Sequence, residues 1–157
     1  MRVNEIADFL KKCHVFFIAT DDGGQPRVRP FGAYVAANGE LYFMTTAGKA
    51  VYEQIRRNPR VEISGYTEGE WIRLTGEAEF LDDPELRKAF VKASPERARM
   101  FYKMPKAARK LLLEKMPGLK NMFTPDSDYK TDLWPFRLKN AVAKLYSMKN
   151  ETIDLSD

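Results

Sequence analysis

Two short stretches carry the side chains best suited to chemistry. Gln25-Pro26-Arg27-Val28-Arg29-Pro30-Phe31 supplies two arginines at a two-residue spacing, and Leu41-Tyr42-Phe43-Met44-Thr45-Thr46-Ala47-Gly48-Lys49 supplies two threonine hydroxyls, a glycine and a lysine. Arginine offers a planar fork of donors, lysine a mobile point charge and threonine a neutral hydroxyl, a donor set suited to a phosphate ester. Between the stretches stands Asn38-Gly39, a strong signal for a two-residue hairpin because both central positions of a type I′ turn need positive φ. With that pair at the tip, Ala37 faces Glu40, and the register continues with Tyr34 opposite Phe43, Phe31 opposite Thr46 and Arg29 opposite Gly48. Arg27, Arg29 and Phe31 then share one strand face, which Thr46 joins across the ladder. Arg29 ends beside the first turn of a helix beginning at Gly48-Lys49, where unpaired N–H groups and the macrodipole favour an anion. The competing reading is a solvated barrel rim beside a packed hairpin.

The flanking elements must hold that hairpin. Ile6, Phe9, Leu10 and Cys13 follow helical spacing after Asn4, a potential N-cap. Val15 to Thr20 reads as a buried strand ended by Asp22-Gly23-Gly24, Pro26 to Ala37 as a second strand, and Glu40 to Thr46 as a third. Gly48 to Asn58 places Val51, Tyr52 and Ile55 on one helical face and stops before Pro59. Val61 to Thr67 and Trp71 to Leu81 predict a second hairpin around Glu68-Gly69, with Gly65 and Gly76 marking bulges or close approaches. A helix starts at Asp82-Asp83-Pro84, and Trp134 to Leu138 and Ala141 to Met148 predict two closing strands around Lys139-Asn140. The expectation is an α+β protein: an antiparallel six- or seven-stranded split β-barrel with peripheral helices. One domain is expected over 1–157, with a helical, basic insert at about 95–125.

Composition narrows the chemistry. In 157 residues the charged class makes up 31% and the hydrophobic class 44%, which suits a globular protein rather than a disordered one. No apolar run approaches the roughly 20 residues of a bilayer span, so no membrane partner and a cytoplasmic location are expected. One cysteine excludes an internal disulfide, and one histidine, His14, leaves no material for a histidine-rich metal site. Any redox chemistry must therefore come from a cofactor. The net charge of +4 traces to 97–120, where eight lysines and arginines stand against Glu114 alone. No nucleic-acid motif accompanies them. The insert reads either as a lid whose basic residues attract an anionic substrate or as helices with a solvated charged face.

Four segments together, Gln25-Pro-Arg-Val-Arg-Pro, Leu41-Tyr-Phe-Met-Thr-Thr, Asn58-Pro-Arg-Val-Glu-Ile-Ser and Trp71-Ile-Arg-Leu-Thr-Gly-Glu-Ala, resemble the FMN-binding split-barrel family that includes pyridoxamine 5′-phosphate oxidase and smaller flavoproteins. The resemblance spans roughly residues 5 to 90. It implies FMN as cofactor, a homodimer with cofactor sites at the interface, and an oxidoreductase acting on a small molecule, with NAD(P)H as a possible donor. Its alternatives are a non-catalytic flavin-binding, sensing or electron-transfer module, and a haem or deazaflavin binder on the same fold.

By the same resemblance, Arg29 matches the strand arginine that holds the FMN phosphate, Thr45 and Thr46 match the strand-end hydroxyl positions, and Lys49 falls in the phosphate loop. Arg27, Pro30, Phe31 and Gly48 accompany them along the cofactor strand and loop. Two further basic positions of the family are Ala50 and Val51 here, so Lys49 or Arg27 must supply the missing charge. Trp71 stands where the oxidase has a polar residue reaching the flavin of the opposite subunit. The arginine and histidine with which true pyridoxamine phosphate oxidases hold substrate have no counterpart, which implies that this is not an authentic vitamin B6 oxidase. Tyr34, Tyr66 and Tyr102 are candidate proton donors, and the sequence does not select among them.

Overall fold

Phe16 and Phe43 lie on strands four steps apart in the sheet, roughly 19 Å if the sheet were flat, yet their ring centroids are 5.8 Å apart. The sheet is therefore strongly curled. These and the following relations come from a computed structural model that describes residues 1–156. The strands are β1 (Phe16–Asp22), β2 (Gln25–Phe31), β3 (Tyr34–Ala37), β4 (Glu40–Thr46), β5 (Arg60–Thr67), β6 (Glu70–Phe80), β7 (Leu133–Ser147) and the short β8 (Ile153–Asp154). They pair antiparallel in the order β2-β1-β5-β6-β7-β4-β3, with β8 added to β7. The architecture is the α+β split barrel expected from the sequence.

Period-two alternation fills the interior. Phe16 and Ile18 of β1, Leu41 and Phe43 of β4, Ile63 of β5, Ile72 and Leu74 of β6 and Phe136 of β7 are all buried in one core cluster. Helix α1 (Val3–Cys13) adds Ile6, Phe9 and Leu10 at helical spacing. It begins at Val3 without a side-chain cap, so Asn4 lies inside the helix rather than capping it. Helix α2 (Ala50–Arg57) buries Val51, Gln54 and Ile55. Helix α3 (Pro84–Ala93) is capped by Asp83, whose carboxylate accepts from the Glu85 and Leu86 N–H groups. Arg87 anchors α3 to β7, donating to the Leu133 carbonyl at 2.8 Å and to Asp82 at 2.7 Å.

Two strand assignments need correction. The single strand expected over Pro26 to Ala37 is two strands broken at Gly32-Ala33, and β2 pairs with β1 instead of β4. Tyr34↔Phe43 and Ala37↔Glu40 hold as predicted, but Phe31 faces Phe16 and Arg29 faces Ile18, not Thr46 and Gly48. The hairpin register is set locally by Asn38-Gly39, whereas the competing pairing with β1 is set by the Gly23-Gly24 turn, and each turn captures only its own flank. The two closing strands are also one strand, β7. Asn140 adopts φ 51° in a bulge opposite Gly76 and not in a hairpin. A Cβ at Gly76 would lie 2.9 Å from the Lys139 carbonyl, and one at Gly65 the same distance from the Cys13 sulfur, so both glycines mark close approaches.

The insert consists of α4 (Glu96–Lys103), α5 (Lys106–Lys115), a 3₁₀ turn (Pro117–Asn121) and the short α6 (Tyr129–Asp132) leading into β7. It is tied together by Arg109, whose guanidinium donates to the carbonyls of Phe101 at 3.0 Å, Tyr102 at 2.6 Å and Ser127 at 2.6 Å. The stacked rings of Phe101 and Phe123, 4.3 Å apart, complete this small core. Among the described residues no helix is long and apolar enough to cross a membrane.

Candidate functional site

Because β2 and β3 are the two ends of the sheet path, the Gly32-Ala33 link between them crosses the opening of the curled sheet. A cavity of about 570 Å³ lies there, within the range of sites that take a drug-sized molecule. One side is formed by Arg29, Pro30 and Phe31 of β2 with Gly32, Ala33 and Tyr34; β4 contributes Met44, Thr45 and Thr46. Lys49 and Val51 add the start of α2, and residues between Phe90 and Phe123 form the remaining wall.

Arg29 is half-buried, and all its acceptors in the protein are neutral. Its guanidinium donates to Thr20 Oγ1 and Gln54 Oε1, both at 2.6 Å, and to the Arg27 carbonyl at 3.2 Å. Thr20 in turn donates to Gln54 Oε1 at 2.7 Å. This closed triangle fixes the guanidinium at the cavity wall without cancelling its charge. Burial, then repulsion from Arg27, lowers the Arg29 pKa, with Asp22 opposing. Lys49 forms no ion pair among the described residues, and burial pushes its ammonium pKa down. Thr45 is 3% exposed, and its hydroxyl has no hydrogen-bond partner among the described residues. Two uncompensated cations and an orphaned buried hydroxyl thus share one cavity, an arrangement that costs free energy until an anion with acceptor oxygens supplies the missing partners.

Lys49 makes this site pH-dependent. A lysine whose pKa is lowered by burial pays less on folding once deprotonated, so its unfavourable contribution to stability fades as pH rises through its folded pKa toward the ordinary 10.5. An anion reverses that preference by stabilising the ammonium. Phosphate-ester affinity is therefore expected to fall on the alkaline side below pH 10.5, and Lys49→Arg, which keeps its charge, should flatten that limb in a binding titration. An identical limb in the arginine variant would remove Lys49 from the site.

The remaining predicted site residues are placed as follows. Pro30, Phe31 and Thr46 line the cavity with Arg29, Thr45 and Lys49. Arg27 does not: it lies exposed at the sheet edge and pairs with Asp22 at 3.3 Å. Of the two residues expected to supply the charge absent at Ala50 and Val51, Lys49 alone lines this cavity. Gly48 is exposed at φ 84°, shaping the turn into α2 without lining the cavity. Trp71 lies on the outer sheet face, stacked on Tyr146 at 5.3 Å. His14 is also exposed and outside the lining, so it offers no haem ligand there. Sequence reasoning missed Thr20 and Gln54. The signal for Gln54 was available, since a polar residue at i+3 from Val51 and i−1 from Ile55 falls on the buried helix face.

The architecture is that of an α+β split barrel whose opening presents an arginine–glutamine–threonine triangle, a lysine without an ion pair and a threonine without a hydrogen-bond partner among the described residues. The chain belongs to the pyridoxamine 5′-phosphate oxidase family, whose sequence pattern matches residues 3–118. Among solved structures it is similar to a NimC/NimA family protein from Clostridium acetobutylicum, with 35% identity over 99% of this chain and 94% of that one and a TM-score of 0.67. It also shares its fold with the general stress protein 26 of Bacillus anthracis, at 16% identity over 99% and 100% of the two chains and a TM-score of 0.60. A third is a pyridoxamine 5′-phosphate oxidase-related, FMN-binding protein from Nostoc punctiforme, at 19% identity over 94% and 85% and a TM-score of 0.58. No curated protein matches the chain.

Proposed function

We propose that the protein binds FMN and acts as an oxidoreductase on a small molecule. The observation that carries this reading is the pair of uncompensated cations, Arg29 and Lys49, that line one cavity with the orphaned Thr45 hydroxyl. These groups fit a phosphate monoester: Arg29 and Lys49 would neutralise it, while Thr45 and Thr46 would donate to its oxygens. The extended backbone of Pro30 and Phe31 and the apolar side chains of Phe31 and Met44 would border the flavin ring. When bound, FMN supplies electron-carrying chemistry that the side chains here do not offer. The protein's part is to hold, orient and shield it.

The same reading makes the protein a cytoplasmic homodimer. Phe17, Val28 and Tyr66 are exposed on the outer sheet face that also carries Trp71 and Tyr146. A second copy is the occupant that the family resemblance implies for such an apolar face. Trp71 then packs a subunit seam. Without a substrate-holding histidine near the cavity, the small-molecule substrate is not a vitamin B6 phosphate.

The test is direct. Purified protein incubated with FMN should acquire stoichiometric flavin absorbance and sediment with the mass of two chains; a protein that takes up no FMN refutes the cofactor assignment, and a loaded monomer refutes the dimer. Mixing the loaded protein with NADH or NADPH should bleach the flavin if a nicotinamide is the donor. If neither donor bleaches it and no other reductant is found, a flavin-holding module replaces the oxidoreductase.

A further inference from the structure

We propose that the insert side of the cavity is a substrate compartment for a small, flat, uncharged molecule that presents one hydrogen-bond acceptor to the hydroxyl of Tyr102. The assignment of this molecule as the substrate rests on the FMN reading, while the compartment itself rests on the chain's own residues. The cavity's lining differs in chemistry by the element that supplies it. Arg29 of β2, Thr45 of β4 and Lys49 at the start of α2 are cationic or hydrogen-bonding, whereas Pro95, Ala98, Met122 and Phe123 of the insert are apolar. Ser94 also lines the cavity, but its hydroxyl is committed to the Phe90 carbonyl at 2.7 Å.

Tyr102 is thus the donor left for a ligand among the insert's lining residues. Its hydroxyl makes no hydrogen bond among the described residues, and its backbone is pinned by Arg109 through a 2.6 Å bond to its carbonyl. Burial, reinforced by Asp132 and partly offset by Arg109, pushes the phenol up to about 12, so it stays a donor at physiological pH. The other two candidate tyrosines are unsuited. Tyr34 lines the cavity but donates to the Ala7 carbonyl at 3.0 Å, and Tyr66 is exposed on the outer sheet face.

Charge selects against anions on the insert side. The insert's lysines are exposed, Lys106 pairs with Asp126, and Arg109 is occupied by backbone carbonyls. None of the insert's basic side chains lines the cavity. Of the two readings of the insert, helices with a solvated charged face fit its placement: it lines the cavity with its apolar side and presents its charge to solvent. An anion would lose hydration there with no cation to replace it.

The experiment titrates three probes into the FMN-loaded protein and into the FMN-free protein, following ligand and protein NMR signals. Acetophenone is flat and neutral with one carbonyl acceptor, ethylbenzene lacks the acceptor, and benzoate is charged. Acetophenone should bind about threefold to tenfold more tightly than ethylbenzene, the scale of one neutral hydrogen bond, and in the FMN-loaded protein, whose cations are already paired, benzoate should bind more weakly than acetophenone. Tyr102→Phe should erase the acetophenone advantage while leaving ethylbenzene affinity, FMN affinity and the melting temperature unchanged. Ala98→Trp should block both neutral probes. Persistence of the acetophenone advantage in Tyr102→Phe, benzoate binding to the FMN-loaded protein as tight as acetophenone, or no binding by any probe would overturn the compartment. A Tyr102-dependent preference in protein that never loads FMN would keep the compartment and refute only the flavin reading.

Discussion

Arg29→Ala should weaken FMN binding by about 1.5–3 kcal/mol, the scale of hydrogen bonds to a charged group, which corresponds to a roughly tenfold to 150-fold rise in Kd. The guanidinium is well prepared for this role. Thr20, Gln54 and the Arg27 carbonyl orient it, and no carboxylate among its partners competes with a phosphate. Its loss should spare the fold, because the Thr20–Gln54 hydrogen bond of 2.7 Å does not depend on it. Gln54→Leu should give a smaller loss of FMN affinity by releasing the guanidinium from one of its two shortest contacts. Fluorescence titration of FMN, read beside a thermal melt, measures both effects. An Arg29→Ala variant that binds FMN as tightly as the parent would remove this residue from the phosphate site.

Phe136→Ala should cost about 3–5 kcal/mol of folding stability, the usual range for removing a buried phenyl ring. Phe136 is fully buried at the middle of a cross-strand row, with Phe43 on one neighbouring strand and Phe80 on the other. Ring centroids lie 5.7 Å and 5.8 Å away, and Phe31 approaches to 6.2 Å from the far edge of the sheet. Four strands therefore lose contacts at one position, and their separate attachments to the sheet prevent them from collapsing together into the space. Urea denaturation gives the value directly. A change below about 1 kcal/mol would mean that the site relaxes fully, contrary to the close packing expected of such a core.

The sequence made the short-range structure legible. Asn38-Gly39 set the β3–β4 register because a type I′ turn specifies its own flanks, and the Val51, Tyr52 and Ile55 spacing located α2 to within two residues at its start. What failed was pairing over distance. A strand that reads continuously through Gly32-Ala33 is marked locally only by Gly32, which does not reveal the change of partner; that depends on competition with β1. Asn140 shows the same ambiguity at smaller scale, since an asparagine at positive φ serves a turn and a bulge equally well. Arg29 and Lys49 still border one cavity, although the predicted ladder contact is absent, because curling of the sheet brings β2 back toward β4. Gln54 went unread because a polar residue on a buried face declares its role only once its partners are known.

The break at Gly32-Ala33 has a further consequence for how a ligand and the fold depend on one another. Each edge strand is held by a single neighbour, β2 by β1 and β3 by β4, and the cavity groups come from both margins of the sheet. A molecule seated there is a rivet across a seam that backbone hydrogen bonds leave unstitched. Its binding free energy adds to the cohesion of the whole barrel in proportion to occupancy, so saturation by the cofactor would make the seam one of the firmer parts of the molecule.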